Sequence, residues 1–303
     1  MFQRSRKILT DFRELVIVAA AAAVGLTVQS PLEWAVRHQG IDVFLVILVF
    51  FTALTIEPRT LRELPAAWRR LSVALVAGIT LLPALSWSAA QLVAAGHLRD
   101  GVTTIGLAPC EIASIATTAM AGGDVALAGG LLLGSTLLTV ALAGPILAAE
   151  ASGVALDPWH ILANLLYIVA LPLGAGAAVR ATLRVSRQVI DLASTTSTLS
   201  VAVLVALVAS EVHFARSYLA VLVAIGAFLV ASAGVGLLVG RRGTLPAREA
   251  LLLTLSMRDF AIAAGLATAA FGPDAAAPLG LYGITVLIWG TGAAGFMRAR
   301  NRV

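Results

Sequence analysis

The chain has 303 residues, 59% of them hydrophobic and 12% charged, and its mean hydropathy is +0.96. A soluble domain carries about 25% charged residues, so composition excludes an ordinary globular protein. The net charge of +5 is too local to suit nucleic acid, and a lone cysteine, Cys110, excludes an intramolecular disulfide. A helix needs about 20 apolar residues to cross the hydrocarbon core. Apolar runs of that order fall at 14–36, 40–56, 71–95, 101–121, 124–149, 158–179, 188–210, 217–240, 247–271 and 276–297. Turn residues or charges separate them, among them Ser30-Pro31, Glu57-Pro58, Gly122-Gly123, Asp157-Pro158, Arg241-Arg242-Gly243 and Gly272-Pro273. The first run follows a basic segment, as in a signal peptide, but lacks a polar exit behind a small-residue cleavage site and reads as a retained helix. The connection from Glu57 to Arg70 reads as an interfacial amphipathic segment with Trp68 at headgroup depth.

Basic residues fix the orientation. Seventeen of the 21 lie in five clusters, at 4–13, 59–70, 180–187, 241–248 and 298–302, which ten spans place on one side. The other side holds Arg37, Arg99 and Arg216, while Arg258 falls inside a span. The positive-inside rule then puts both termini in the cytoplasm. Lys7 is the only lysine in the chain, an arginine bias of GC-rich bacteria that suggests a bacterial inner membrane. Ten spans divide into repeats at about 14–149 and 158–297. Five is odd, so the second repeat is inverted relative to the first, the plan of many secondary carriers. The expected fold is therefore an all-α membrane protein, a single domain over 1–303, with two inverted five-helix repeats.

Two stretches put charge where lipid tolerates it least. Ala108-Pro109-Cys110-Glu111-Ile112-Ala113-Ser114 interrupts span four, and Ser256-Met257-Arg258-Asp259-Phe260 interrupts span nine. A charge at mid-bilayer costs at least about 2.5–3.5 kcal/mol and marks a transport pathway unless it is merely paired. Interrupted helices in corresponding positions of two repeats point to a midplane binding site.

Several motifs resemble the bile acid:sodium symporter (BASS) family. Ala113-Ser114, Gly123-Asp124-Val125-Ala126-Leu127, Ser135-Thr136-Leu137-Leu138 and Pro145 resemble its fourth and fifth helices. Pro83-Ala84 with Trp87 resembles its third helix, and Met257 with Ala264-Gly265-Leu266-Ala267-Thr268-Ala269 and Phe271 its ninth. The resemblance implies a ten-helix carrier with a core and a panel domain, helices four and nine broken and crossing at the substrate and ion sites. It also exposes departures. Where sodium-coupled members carry polar ligands, this chain has Ile115, Ala128, Leu132 and, in helix three, Gly78. The acidic ligand of helix nine falls on Thr254, its glutamine on Arg258 and the next asparagine on Asp259. The usual two-sodium arrangement is therefore expected to be absent, with proton coupling or uniport in preference to sodium, and sodium-coupled organic anion symport as the alternative. Arg258 is expected to place a guanidinium where a sodium ion would sit, balanced by Glu111 or Asp259. That pair reads either as part of the coupling or as a static lock between two broken helices.

The candidate substrate and ion site comprises Cys110, Glu111, Ser114, Thr254, Ser256, Met257, Arg258 and Asp259. Half-helix N-termini and Arg258 would favour a small organic anion. Thr117 reads instead as bonded to its own helix backbone, and Asp124 as the N-cap of helix five. Gly106-Leu107-Ala108-Pro109-Cys110, with Phe260 and Phe271-Gly272, resembles the arsenite efflux carriers of the same superfamily, in which a thiol binds the metalloid. Those carriers have an arginine before the cysteine; Pro109 stands there here. His38, His97, His160 and His213 lie in separate loops with no metal-ligand spacing, so no metal is expected. Nor is there a phosphate loop, so no nucleotide is expected. No nucleophile, base and orienting group share a motif, so an enzyme is not expected either.

Overall fold

A computed structural model describes residues 16–17, 19–55, 64–150, 157–183, 185–211 and 217–300. His213, part of the 57–70 connection, and much of the basic charge used for orientation (Arg4, Arg6, Lys7, Arg13, Arg59, Arg62, Arg184, Arg216 and Arg302) lie outside the described residues.

The described residues are helical, with one isolated backbone bridge and no strand among them. A helical stretch over 19–27 leads into α1 (Gln29–Arg37) and α2 (Gly40–Thr55), which meet at 78°. Gln39, at the corner, takes the left-handed conformation with φ of 63°. Then come α3 (Leu64–Ala90), α4 (His97–Thr104), α5 (Ala113–Ala121) and α6 (Val125–Glu150). The next span, α7 (Pro158–Thr182), contains a π-helical turn at Leu166–Ala170. It is followed by α8 (Arg187–Ser210), α9 (Ser217–Gly240), α10 (Leu245–Ser256), α11 (Phe260–Phe271) and α12 (Ala277–Arg300).

Six described helices are long and apolar enough to cross a membrane, or seven if the bent α1–α2 pair is one span. Ten were expected. The difference lies in the runs 101–121 and 247–271, each divided into two short helices, in the run 14–36, which is not helical at Val28, and in the run 40–56, whose described helix has 16 residues.

The punctuation between elements is local chemistry. Asp124 Oδ1 accepts from Leu127 N at 3.0 Å, the N-cap expected for α6. Asp157 accepts from Trp159 N with Pro158 at the first helical position, and Ser186 Oγ from Val189 N. Gly122 ends α5 with φ of 90°, which lets Gly123 N reach back to Thr118 O at 2.8 Å.

Two sets of helices result. The bent α1–α2 pair packs with α7 and α8, where Thr52 and Ser197 hydroxyls meet at 2.9 Å. The remaining helices gather around the four short pieces α4, α5, α10 and α11. The deepest part of the core lies where those pieces meet, and Arg258 is the largest side chain fully buried there.

Candidate functional site

The two breaks in the helices face each other as antiparallel backbone. Cys110 and Arg258 form the bridge: Glu111 N donates to Met257 O at 2.9 Å, and Asp259 N to Pro109 O at 2.8 Å. In a bridge of this geometry the N–H groups of the paired residues point outward, away from the partner. Each finds a hydroxyl. Cys110 N donates to Ser135 Oγ of α6 at 3.0 Å, and Arg258 N to the Tyr282 hydroxyl of α12 at 2.9 Å. Every buried N–H of this four-strand-residue crossing is thereby paired, as a low-dielectric interior demands.

The two sides correspond. Cys110 and Arg258 are 148 positions apart, as are Glu111 and Asp259, while Ser135 and Tyr282 are 147 apart. The acids do similar work. Asp259 Oδ1 caps α11, accepting from Ala261 N and Ile262 N at 3.0 and 2.9 Å. Glu111 faces Ile112 N and Ala113 N at the start of α5 and accepts from Phe260 N across the bridge at 3.3 Å. The half-helix N-termini, expected to attract an anionic solute, are thus occupied by the protein's own carboxylates.

Arg258 was expected to be balanced by Glu111 or Asp259, and Asp259 acts on it electrostatically without a direct pair. Among the described residues no carboxylate forms an ion pair with it, Glu111 and Asp259 included. Its Nη1 points to Cys110 Sγ at 3.7 Å and its Nε has no partner among the described residues. The lock between the breaks is made by backbone, by two hydroxyls and by the Glu111 carboxylate on Phe260 N, and both acids are turned toward helix N-termini. The guanidinium lies beside Gly78, within 3.9 Å of where a Cβ would stand. A narrow pocket there is lined by Gly78, Cys110, Leu131, Ser135, Thr139 and Arg258.

A second pocket, sharing no lining residue with the first, lies where the two helix sets meet. It is lined by Val49 and Thr52 of α2, Leu132 and Thr136 of α6, Val169 and Leu173 of α7, together with Ile112, Asp259 and Ile262. Asp259 Oδ2 has no hydrogen-bond partner among the described residues, although the residue is only 1% exposed. Val169 belongs to the π-helical turn of α7, a distortion that recurs at functional sites.

The remaining candidates are distributed unevenly. Thr254 Oγ1 donates to Ala250 O at 2.7 Å, while Ser256 Oγ donates to Leu253 O and accepts from Trp289 Nε1. Neither lines a pocket described above. Met257 is a packing residue, its Sδ 3.5 Å from Thr117 Oγ1 and its tip against Gly290. Thr117 also bonds Ala113 O and Ser114 O, the backbone role expected of it. Ser114 Oγ is buried without a partner among the described residues and touches neither pocket. Ser135, Thr136 and Tyr282 were not among the candidates. The first two stood in a motif quoted for resemblance alone, and nothing near Tyr282 in sequence signals its contact with Arg258. Among the described residues no group of three His, Cys, Asp or Glu side chains could hold a metal.

Bilayer-length apolar helices gathered around two broken ones define an integral membrane protein. The profile of the Sodium Bile acid symporter family matches residues 42–221, and the chain belongs to that family. It is 25% identical over 276 residues to the "Uncharacterized sodium-dependent transporter YocS" of Bacillus subtilis (strain 168), an alignment covering 88% of this chain and 85% of the relative. Both names are those of transporters. The matched segment ends before α10, so Met257-Arg258-Asp259 lies beyond it.

Proposed function

We propose that the chain is a secondary-active carrier that moves a small organic anion by alternating access, coupled to protons. In this reading it is one domain of ten spans in two inverted repeats, with α4–α5 and α10–α11 as the crossing fourth and ninth spans. Both termini lie in the cytoplasm of a bacterium, and the membrane is the inner one. The observation that carries the reading is the Cys110–Arg258 bridge with its corresponding acids and hydroxyls. Contacts repeated at a fixed separation, about a two-fold relation between two broken helices, are the mark of inverted-repeat carriers.

Charge supports a proton. One guanidinium, Arg258, stands against two carboxylates, Glu111 and Asp259, in a buried crossing. A proton or another cation is needed to balance them, since uncompensated charge in this position is costly. The positions equated with sodium ligands offer little oxygen: Ile115, Ala128 and Leu132 have apolar side chains, and Arg258 brings a fixed cation. Sodium symport is the second reading, favoured by the printed name of the Bacillus subtilis relative.

The test is thermal stabilisation of the purified protein by a panel of monocarboxylates and sulfonates, with sodium or with choline, at two pH values. Stabilisation that ignores sodium and follows pH is the expected result. Stabilisation that requires sodium would overturn the coupling reading, and a panel without effect would remove the support for an organic anion.

A further inference from the structure

Asp259 and Glu111 are alike in burial and in capping a half-helix, but they differ in what capping leaves over. Glu111 faces three backbone N–H groups, two on its own helix and one across the bridge. Asp259 completes its cap with Oδ1 alone, Oδ2 remains without a partner among the described residues, and the residue lines the pocket between α2, α6 and α7. A carboxyl that titrates in a transport cycle must gain and lose its proton without disturbing the helix it holds. Only Asp259 is built for that.

Resting on the carrier reading above, we infer that Asp259 is the group that carries the coupled proton, on Oδ2, and that Glu111 is confined to joining the helix ends. In the loading step Oδ2 takes a proton from a hydronium ion admitted to the pocket. The new O–H bond replaces the one broken, water is released, and nothing is oxidised or reduced. Unloading reverses the step on the other side of the membrane. Oδ1 keeps Ala261 N and Ile262 N in both forms, so the start of α11 does not move.

The ionisable groups lie on the crossing itself and not on the pocket's other walls. The charged or titratable groups near Asp259 are Glu111, Arg258 and Tyr282. The walls from α2, α6 and α7 contribute Val49, Thr52, Leu132, Thr136, Val169 and Leu173, none of which ionises. Protonation therefore changes the pocket from one carrying an anionic acceptor to one carrying a neutral donor. An incoming carboxylate is repelled by the first and hydrogen-bonded by the second, so proton and solute each raise the other's affinity, as linkage requires. The mostly aliphatic wall suits a small, largely apolar monocarboxylate. Arg258 lines the other pocket and not this one, so it stays out of direct contact with the solute.

The test is infrared difference spectroscopy of the full-length protein in lipid, stepping the pH with no solute present. A carbonyl band of a protonated carboxyl is expected at the acidic step. It should shift when the protein is labelled with carbon-13 aspartate, vanish in Asp259→Asn, and survive in Glu111→Gln. Asparagine retains the acceptor that caps α11, and the labelled parent gives the Asp-or-Glu answer without any variant. A band that shifts only with labelled glutamate, that persists in Asp259→Asn, or that never forms would overturn the inference. Because no solute is involved, these outcomes stand apart from the stabilisation panel: a silent panel with a positive band would sink the organic-anion reading and leave the proton site in place.

Discussion

Tyr282→Phe removes one oxygen atom and nothing else from the crossing. The ring stays, packed edge-to-face on Phe228 with centroids 6.4 Å apart, but Arg258 N loses its 2.9 Å acceptor in a fully buried position. An orphaned buried N–H costs about 1–3 kcal/mol, or roughly a 5- to 150-fold shift in the unfolding equilibrium at about 1.4 kcal/mol per factor of ten. Ser135→Ala does the same to Cys110 N on the other side of the bridge, with a similar expected loss. The two hydroxyls hold one unit, so the double variant should lose less than the sum of the singles. Once one end of the bridge is released, the second latch has less left to hold. Unfolding in mixed detergent micelles measures all three, with Tyr167→Phe, at a 71% exposed residue on α7, as the control expected to do nothing. If Tyr282→Phe changes stability by no more than the control does, the latch does not hold the bridge and the reasoning fails.

Gly290→Ala places a methyl against the tip of Met257; overpacking of this kind costs about 1–3 kcal/mol, and Met257→Ala in the same chain should recover part of it in the same unfolding assay. Gly122→Ala forces a Cβ into φ of 90°, where strain costs about 1–3 kcal/mol, whereas Gly226→Ala, open to space within its helix, should be neutral or slightly stabilising. Glu111→Ala strips the acceptor from the start of α5 and from Phe260 N, so it should cost at least the ~0.5–2 kcal/mol of a lost cap, while Glu111→Gln keeps an acceptor and should cost less; equal losses would refute the capping role. Thr52→Val removes the hydroxyl pair with Ser197 and should cost about 0.5–1.5 kcal/mol in the same unfolding assay.

The positions of the long helices were legible because lipid imposes a one-dimensional rule. An apolar run of sufficient length becomes a span wherever it sits, and α3, α6, α7, α8, α9 and α12 fall on the expected runs. Caps such as Asp124 were legible for a related reason, since the acceptor and the N–H it satisfies are three residues apart. The two breaks were visible too, because Glu111, Arg258 and Asp259 stand in apolar surroundings that would otherwise exclude them.

How those breaks are joined was not legible. Sequence reasoning matched opposite charges and expected Arg258 to pair with an acid. The structure instead turns each carboxylate toward helix N-termini, joins the breaks by main chain, and seals the bridge with Ser135 and Tyr282 from distant helices. Composition and periodicity report what a residue needs from its surroundings: water, lipid or a partner. They do not report which of several chemically adequate partners, 25 or 150 positions away, the packing of helices will bring within 3 Å, because that choice is made by the geometry of the whole bundle. The sequence determined a helical membrane protein with charge buried at two breaks; only the tertiary structure decided that Asp259 has an oxygen to spare.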